Sequence, residues 1–549
     1  MIGVIANKDQ AQIVEEFFQL FKTPWEFYDK AKSYDAVICS GNFITDINAR
    51  LLIVYGSDYS QWDVQNGLTL DSSHKNVFVR FNSLRIPIYR NVSTYIGGTR
   101  HFLFIDKTIG VAGTEIKHRK TQILRVGYDL FDEIAQILSD GQPNENALIP
   151  TLDRHISLLR SLVVNSGISL AEILPTPTGF SFITCLTHDV DFVRIRQHKF
   201  DKTMWGFLYR ASIGSFVDFV RRKISVIHLM KNLKAVVLLP LVYLGMAKDY
   251  WLQFDRYMEI ETGLASTYFF IPFKHRRGDK LNTRFSRRRA AKYDITELRN
   301  WIDALLEQGH EIGVHGIDAW HSPRKAREEY RRVSDITGET GLGVRMHWLC
   351  YNRASPRGLD EAGFSYDSTF GYNDAVGYRG GTTQVFRPIG TKNLLELPFQ
   401  IQDTALFYPK RMALSETQAW EFCEKLIRNS KLHGGALTIL WHQRSLAPER
   451  LWANFYIKLL NHLKSHSTAF WTDKQVTEWF QKRRAISFKD VSFTNNTVFL
   501  SLDRNGETNG PGLTFRIYSG KICAIKSAEE SPGYIDVPWN GESNLKIPL

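Results

Sequence analysis

From Phe180 onward, short apolar runs alternate with stretches of helical periodicity. The apolar runs are FSFITCLT, LASTYFFIPF, EIGVH, LGVRMHWL, GFSYDSTF, NLLELPFQI, GALTILWH and STAFWT. Strands that alternate with helices form a parallel sheet, and seven or eight of them suggest a barrel. The chain is therefore predicted to be an α/β protein with a central (β/α)7-8 barrel.

The pattern differs on either side of this barrel. Short apolar runs separated by polar turns predict a small N-terminal α/β domain over residues 1–145. Short alternating runs predict an antiparallel β domain over 485–549, with a structural or glycan-binding role. A chain of 549 residues is too long for one core, so three domains are expected, with the barrel at 146–484.

One insertion, 203–248, separates the first and second barrel strands. Its apolar core AVVLLPLVYLGMA is shorter than the ~20 residues that span a bilayer and contains Pro240, which argues against a transmembrane helix. Two interpretations stay open, a buried helical cap over the barrel or a basic amphipathic hairpin on a membrane surface. The basic residues flanking the apolar run are Arg221, Arg222, Lys223, Lys231 and Lys234.

Composition narrows the class of protein. A net charge of +12 favours acidic partners, but no recognition fold or RNP-like aromatic motif accompanies it, so nucleic acid is not expected as a partner. The five cysteines form no CxxC pair, which favours a reducing compartment. The N-terminus lacks the features of a signal peptide. We expect a cytoplasmic protein, with peripheral contact to the inner membrane through 203–248 as an alternative.

Polar residues gather where the predicted strands end, which is the catalytic edge of such barrels. In FITCLTHDVD, Asp189 and Asp191 lie on one face of the strand and His188 on the other. Two carboxylates this close favour a cation or base between them, although a capping Asp beside a solvated Asp is the structural alternative.

A metal site follows from the next motif. His315 ends EIGVH and His321 follows it in a loop. Two neutral imidazoles with a carboxylate make a three-ligand site that leaves room for water. GHEIGVH is not an HExxH protease signature, because His310 and His315 are five residues apart and would diverge on a helix.

These motifs resemble those of the NodB-homology polysaccharide deacetylases. LTHDVD is similar to their TFDD motif and EIGVHGIDAWH to their HxxxH motif. VRMHW resembles the arginine motif, LELPFQIQD the motif with a supporting Asp, and LTILWH the late strand that ends in a histidine. The resemblance covers about residues 180 to 445 and implies a NodB-like distorted barrel.

The resemblance also implies roles for individual residues. Asp189 would be the base, Arg345 would orient it, His442 would protonate the leaving amine and Asp403 would tune His442. The expected metal ligands are Asp191, His315 and His321, for zinc or for cobalt, nickel or manganese. Trp348 would line the acyl pocket, and Trp320 is a further candidate for substrate contact.

The chain departs from the family pattern in two places. Val190 separates the two aspartates, and His321 falls six rather than four residues after His315, so Asp318 is an alternative ligand. The remaining histidines near the motifs are expected to be structural, namely His188, His310 and His347.

The expected activity is metal-dependent removal of an acyl group from an amino sugar, in oligosaccharide or lipid-linked form, during synthesis of a surface polysaccharide or glycolipid. The run KHRRGDKLNTRFSRRRAAK is either a solvated face or a phosphate site, with Arg287 and Arg288 as candidate substrate contacts. The alternative function is a catalytically inactive carbohydrate-binding or scaffold protein. A glycosidase is disfavoured because the two aspartates lie too close together.

Overall fold

The structure is a computed structural model, and it describes residues 1–41, 47–106, 110–116, 121–279, 289–450, 452–494, 497–504, 512–519, 533–539 and 541–548. The N-terminal part forms a nine-stranded mixed sheet in the order β2-β1-β3-β4-β9-β8-β7-β5-β6. Its strands are β1 (Ile2–Ile5), β2 (Trp25–Phe27), β3 (Tyr34–Ser40), β4 (Ala49–Tyr55), β5 (Thr69–Phe81), β6 (Leu84–Ile96), β7 (Arg100–Ile105), β8 (Val111–Ile116) and β9 (Gln122–Val126). Its helices are α1 (Ala11–Phe21), α2 (Gln61–Gln65), α3 (Leu130–Ser139) and α4 (Thr151–Asn165).

Helix α4 packs with this first sheet. Its apolar side chains, among them Leu152, Leu159 and Val163, share one buried cluster with α1 and α3. The predicted boundary after residue 145 therefore falls before a helix that completes the N-terminal core. The next strand, β10 (Leu170–Ile173), leaves this sheet and pairs with the C-terminal region.

The central part is a curled parallel sheet in the order β16-β15-β14-β13-β12-β11-β18-β17, with β19 paired to β11. Its strands are β11 (Phe182–Val190), β12 (Ser266–Phe270), β13 (Glu311–Gly316), β14 (Gly343–Met346), β15 (Tyr366–Asp367), β16 (Leu395–Glu396), β17 (Ile401–Gln402), β18 (Ala436–Leu440) and β19 (Thr468–Phe470). Every residue of β11 is buried, as is usual for a parallel strand covered on both faces.

Helices cover the sheet and connect its strands. They are α5 (Lys202–Tyr209), α6 (Ser215–Val220), α7 (Val226–Tyr243), α8 (Phe254–Ile260), α9 (Arg299–Glu307), α10 (Pro323–Thr337), α11 (Ser355–Ala362), α12 (Asp403–Phe407), α13 (Glu416–His433), α14 (Ala453–Lys464) and α15 (Asp473–Ala485). The alternation of strands and helices expected from the sequence is present in this part of the chain.

One bent segment joins the two edges of the curled sheet. The edge strands β16 and β17 are consecutive in the chain and only residues 397–400 separate them. The amide of Leu397 still bonds to Asp367 O, while that of Gln400 already bonds to Thr438 O on the other edge. The sheet is thus an open, distorted barrel whose gap lies at this bend.

The C-terminal part consists of two three-stranded antiparallel sheets, β20-β21-β24 and β10-β22-β23. Their C-terminal strands are β20 (Ile486–Phe493), β21 (Thr497–Arg504), β22 (Leu513–Tyr518), β23 (Tyr534–Trp539) and β24 (Asn544–Pro548). These strands share a core with α15 and with the early residues of β11, such as Ile183. They therefore support the barrel at the end opposite to where β11 finishes.

The insertion forms a helical hairpin of α5, a π-helical turn at Arg210–Gly214, α6 and α7. Among the described residues, α7 is the helix that is long and apolar enough, by length and composition alone, to cross a membrane. Only 28% of α7 is buried, and Pro240 lies within it. A buried cap, one of the two interpretations of the sequence, does not fit this exposure.

Candidate active site

The carboxyl ends of β11, β13, β14 and β18 meet at one pocket. It is lined by Asp189, Asp191, Phe192, His315, His347, Trp348, Leu349, Asn373, Gln402, Thr404, Arg411, His442, Arg444, Ser445 and Arg450. Its volume is about 130 Å³, which is below the ~300 Å³ of typical small-molecule pockets. The pocket therefore has room for a small group, and most of a larger ligand would lie outside it.

Strand β11 delivers the two aspartates to this pocket. Asp189 is its penultimate residue and Asp191 follows its end, so both lie on the pocket side. His188 points the other way, where Nδ1 bonds to Trp441 O at 2.8 Å and Nε2 lies 3.1 Å from Glu261. The alternation of a β-strand explains this division.

Three side chains converge tightly beside Asp189. Oδ1 of Asp191 lies 3.2 Å from Nε2 of His315 and 2.9 Å from Nδ1 of His347, and these two nitrogens are 3.0 Å apart. Among the described residues, these are the side chains whose potential ligand atoms lie within 4.8 Å of one another. One carboxylate and two imidazoles are a common ligand set for zinc and similar divalent metals.

The surroundings of these three side chains fit a metal. Nδ1 of His315 bonds to Arg345 O at 2.9 Å, which leaves Nε2 with a lone pair for a cation. Oδ1 of Asp191 is buried, and the ring nitrogens of His315 and His347 are its polar neighbours. Burial opposes ionisation of Asp191, but the adjacent His347 and His315 hold the pKa of its carboxyl well below the usual range. Burial lowers the pKa of His347, which favours the neutral ring that coordination requires.

The structure brings together a group of side chains that differs from the expected ligand set by one residue. His321 does not belong to this group, because its Nε2 faces Oδ1 of Asp318 at 3.1 Å. Asp318 is not available as the alternative ligand either, since its oxygens accept from Asp279 N at 3.0 Å and lie 3.1 Å from Lys325 Nζ. His347, expected to be structural, takes this place instead.

The position of His347 has a simple geometric reason. Arg345 lies in β14 and pairs in register with His315 of β13. His347 follows Arg345 by two residues, so it continues the same face of the strand just past its end. Every second residue of a strand lies on the same face, which brings Asp189 and Asp191 together in β11. The same alternation in VRMHW places Arg345 and His347 on one face. This is the sequence signal that identifies His347.

Arg345 fixes the position of Asp189 through hydrogen bonds. Its Nη1 donates to Oδ1 of Asp189 at 3.1 Å and to Oγ1 of Thr187 at 2.7 Å. Its Nη2 donates to Oγ of Ser368 at 2.7 Å, and the whole side chain is buried. The other oxygen of Asp189 lies 3.8 Å from Nε2 of His315, which places it beside the potential metal position.

A second acid–base pair reaches the pocket from β18 and α12. Nδ1 of His442 lies 2.7 Å from Oδ1 of Asp403, whose other oxygen accepts from the His442 amide. Nε2 of His442 faces Asp191 at 3.8 Å. Burial disfavours a charged ring, but the carboxylate of Asp403 outweighs it and raises the pKa of His442 to about 9.

The residues expected to contact substrate have different positions. Trp348 lines the pocket, is 39% exposed, and has a left-handed backbone with φ of 63°. Trp320 is not among the pocket-lining residues.

Arg287 and Arg288, the candidate substrate contacts of the basic run, lie outside the described residues. Arg289, from the same basic run, is buried, and its Nη2 donates to the carbonyls of Ile317 and His347, so it supports the site instead of facing solvent.

Asp367, another polar residue at a strand end, lies in the buried interior and not in the pocket. One of its oxygens accepts from Thr369, and the other has no donor among the described residues. Burial raises the pKa of Asp367 to about 7. Glu396, on the neighbouring strand β16, has a raised pKa for the same reason.

No sequence pattern indicates Asp473 as a site residue. It is buried, and its Oδ2 lies 3.7 Å from Nη2 of Arg345.

No protein-family model and no curated protein matches the chain. Solved structures that are similar include a polysaccharide deacetylase candidate from Mycobacterium smegmatis, at 18% identity and a TM-score of 0.35 over 56% of this chain and 95% of the other. A probable polysaccharide deacetylase from Pseudomonas aeruginosa PAO1 has 14% identity and a TM-score of 0.34, over 55% of this chain and 92% of the other.

A CE4 family pseudoenzyme from Bacillus anthracis is also similar, at 10% identity and a TM-score of 0.25 over 54% of this chain and 65% of the other. All three similarities are at low identity and cover about half of the chain. What its site can do follows from the geometry of the site itself.

Proposed function

We propose that this chain is a metal-dependent hydrolase of the polysaccharide deacetylase type, which removes an acyl group from an amino sugar. The observation that carries the proposal is the convergence of a carboxylate–imidazole group with a base and an acid in one pocket. Asp191, His315 and His347 form the group, Asp189 lies beside it, and Nε2 of His442 approaches Asp191 to 3.8 Å.

These three residues would hold a divalent metal, with zinc the best match to the donors and cobalt, nickel or manganese as alternatives. Such an ion, when bound, polarises an acyl carbonyl and makes a water nucleophilic near neutral pH.

Asp189 is placed to act as the general base. Arg345 fixes one of its oxygens, so the other is directed toward the space beside His315. Because Arg345 is itself held by Thr187 and Ser368, Asp189 has a defined orientation before substrate binds. A preorganised carboxylate of this kind takes a proton from water without first having to reorient.

His442 is placed to act as the general acid. Asp403 fixes its Nδ1, so Nε2 carries the proton that is delivered to the leaving group. An amine is a poor leaving group unless it is protonated, and a histidine with a raised pKa suits this step. This pairing supports an N-acyl substrate over an O-acyl ester, whose alkoxide departs more readily.

The shape of the pocket supports a short acyl group. Its small volume suits an acetyl-sized group next to the metal position, with the sugar at the mouth. The partly exposed indole of Trp348 forms part of this wall and provides an apolar surface for the acyl methyl group. We propose an acylated amino sugar in oligosaccharide or lipid-linked form as the substrate.

Measurement of acetate release tests this function. The substrates are N-acetylated and O-acetylated sugars, their oligosaccharides and lipid-linked sugars. The metal-loaded wild type is expected to release acetate and free amine, detected by mass spectrometry. Asp189→Asn should lower the rate by about 10²-fold or more, because it removes the base. Asp303→Asn, a change in an exposed residue of α9, is the matched control and should leave the rate unchanged.

The same assay tests the alternative of an inactive carbohydrate-binding protein. In that case the metal-loaded wild type would bind sugars but release no acetate, and Asp189→Asn would bind them equally well. That result would reject the hydrolase proposal.

A further inference from the structure

The helical hairpin, residues 200–246, is the most apolar exposed surface of the described chain. Well over half of the large apolar side chains that are exposed among the described residues belong to it. Proteins rarely leave an apolar surface of this size in water unless it contacts a partner or a membrane.

The two arms of the hairpin pack against each other through one narrow seam. On α7 the buried positions are Leu229, Asn232, Ala235, Leu239 and Val242. Nδ2 of Asn232 donates to Oγ of Ser215 on α6 at 2.7 Å, which fixes the register of the arms. The fold therefore uses one face of each arm, and the apolar residues on the outer faces have no role in this packing.

The outer faces carry apolar stripes at helical spacing. On the first arm the stripe is Trp205, Tyr209, Ile213, Phe216 and Val220, all 59–64% exposed. On the second arm it is Met230, Leu233, Val237 and Leu241 of α7 and Leu244 directly after it, of which Val237 is 75% exposed. Residues three or four apart lie on the same face of a helix, so each arm has one continuous apolar surface.

The hairpin is also strongly basic. Residues 200–246 contain seven lysines and arginines but only two acidic residues, Asp201 and Asp218. Asp201 already pairs with Lys292 at 2.8 Å. Three of the basic residues, Arg221, Arg222 and Lys223, form the exposed turn between the arms. Apolar stripes flanked by lysine and arginine are typical of helices that lie in the interface of an anionic membrane.

Charge argues against a second copy of the chain as the occupant. In a twofold dimer the same surface lies on both sides of the interface, so one basic hairpin would face another. The like charges would repel each other as the apolar stripes came together.

Length and polarity argue against a membrane-spanning hairpin. Helix α7 is about 27 Å long at 1.5 Å per residue, slightly less than the hydrocarbon core of a bilayer. It also carries Lys231, Asn232 and Lys234 in its first half, and charged groups are costly at the centre of a bilayer. A position along the surface lets these side chains reach the headgroups.

The base of the hairpin shares a buried cluster with a neighbour of the active-site pocket. This cluster contains Met204 and Phe207 of the first arm, Ala235 and Leu239 of α7, and Trp251. The guanidinium of Arg444, which lines the pocket, lies 3.7 Å from the Trp251 ring centre. The hairpin base and one wall of the pocket are therefore parts of one packed unit.

We infer that the hairpin 200–246 docks this protein on the surface of an anionic lipid bilayer, with its apolar stripes among the acyl chains and its basic turn on the headgroups. Binding of this kind does not depend on the proposed activity. It keeps the pocket next to the bilayer surface.

Flotation with lipid vesicles tests this inference, using the full chain and two vesicle types. Phosphatidylcholine vesicles are neutral, and vesicles with equal parts of phosphatidylcholine and phosphatidylglycerol are anionic. The wild type should float with anionic vesicles, bind neutral ones weakly, and lose binding as salt increases.

Two variants separate the apolar from the charged contribution. Replacing Trp205, Val237 and Leu244 by serine should lower the vesicle partition constant by at least about tenfold, because each change removes exposed apolar surface. Replacing Arg221, Arg222 and Lys223 by glutamate should lower the partition constant for anionic vesicles as strongly as the serine changes do. The matched control is Ile96→Ser with Leu432→Ser, two exposed apolar residues elsewhere, and it should bind like the wild type.

Two results would overturn the inference. One is a folded wild type that does not float with anionic vesicles. The other is a wild type that forms a stable dimer by light scattering and is converted to monomers by the serine variant, which would assign the surface to a second copy. The charge-reversal changes lie in an exposed turn, so this variant remains informative if the serine variant fails to fold. Acetate release from a soluble sugar is measured separately, so failure of the membrane inference is distinguishable from failure of the proposed function.

Discussion

Nε2 of His315 and Nδ1 of His347 lie 3.0 Å apart, and both are within 3.2 Å of the same Asp191 oxygen. Two ring nitrogens and a carboxylate oxygen this close together form a compact donor set that suits one divalent cation. In the proposed ligand set, the second imidazole therefore comes from the end of β14 and not from the loop after β13. This relationship connects the strand geometry with the proposed chemistry.

Arg345 lies between two carboxylates, those of Asp189 and Asp473. Burial raises the pKa of Asp473 well above its usual range, which favours the neutral form of that side chain. Asp473→Asn, which keeps its shape, should therefore leave kcat/KM close to the wild-type value. Asp189→Asn should lower it by about 10²-fold or more. Equal losses in both variants, measured by acetate release, would mean that Asp473 is charged and shares the role of Asp189.

Asp403 should set the basic limb of the pH profile. His442 must be protonated to act as an acid, so activity falls as the pH rises through its pKa, which Asp403 raises to about 9. Asp403→Asn removes the charge that stabilises the imidazolium. The basic limb of the kcat profile should then move to lower pH by about one to two units.

Ser445→Ala is the control for this shift. The Ser445 hydroxyl donates to the same Asp403 carboxylate but carries no charge. Its removal should leave the basic limb close to the wild-type position. A limb that stays in place in Asp403→Asn would show that His442 is not the acid.

A buried ion pair in the N-terminal sheet should be important for stability. Arg125 donates to Asp63 at 2.8 Å, and both side chains are fully buried. Asp63→Asn removes the buried carboxylate charge beside the guanidinium and should lower the free energy of unfolding by about 3–5 kcal/mol. The exposed pair Arg299–Asp303 is the control, and Asp303→Asn should cost less than about 1 kcal/mol. Urea unfolding followed by tryptophan fluorescence measures both, and equal effects would contradict the importance of burial.

Much of the central fold could be predicted from the sequence because its strands are short apolar runs with clear polar ends. The parity of FITCLTHDVD was sufficient to place Asp189 and Asp191 on one face and His188 on the other. The ends of β13 and β18 likewise located His315 and His442. Periodicity is a local property, and these assignments required only local information.

Other features depend on contacts that no local pattern contains. α4 has the periodicity of any amphipathic helix, and only its packing partners assign it to the N-terminal core. β10 pairs with β22, more than three hundred residues away in the chain. The spacing of the histidine motif favours His321 as a ligand, whereas the alternation of side chains along β14 favours His347. Asp473 reaches Arg345 from the start of α15, which no motif indicates.

Metal content is the most direct test of the central claim. The wild type, His347→Ala and His321→Ala are each stripped with a chelator, reloaded with zinc, desalted and measured by mass spectrometry. About one equivalent of zinc is expected in the wild type and in His321→Ala, and almost none in His347→Ala. A wild type that retains no metal, or a loss in His321→Ala with full retention in His347→Ala, would contradict the proposed site.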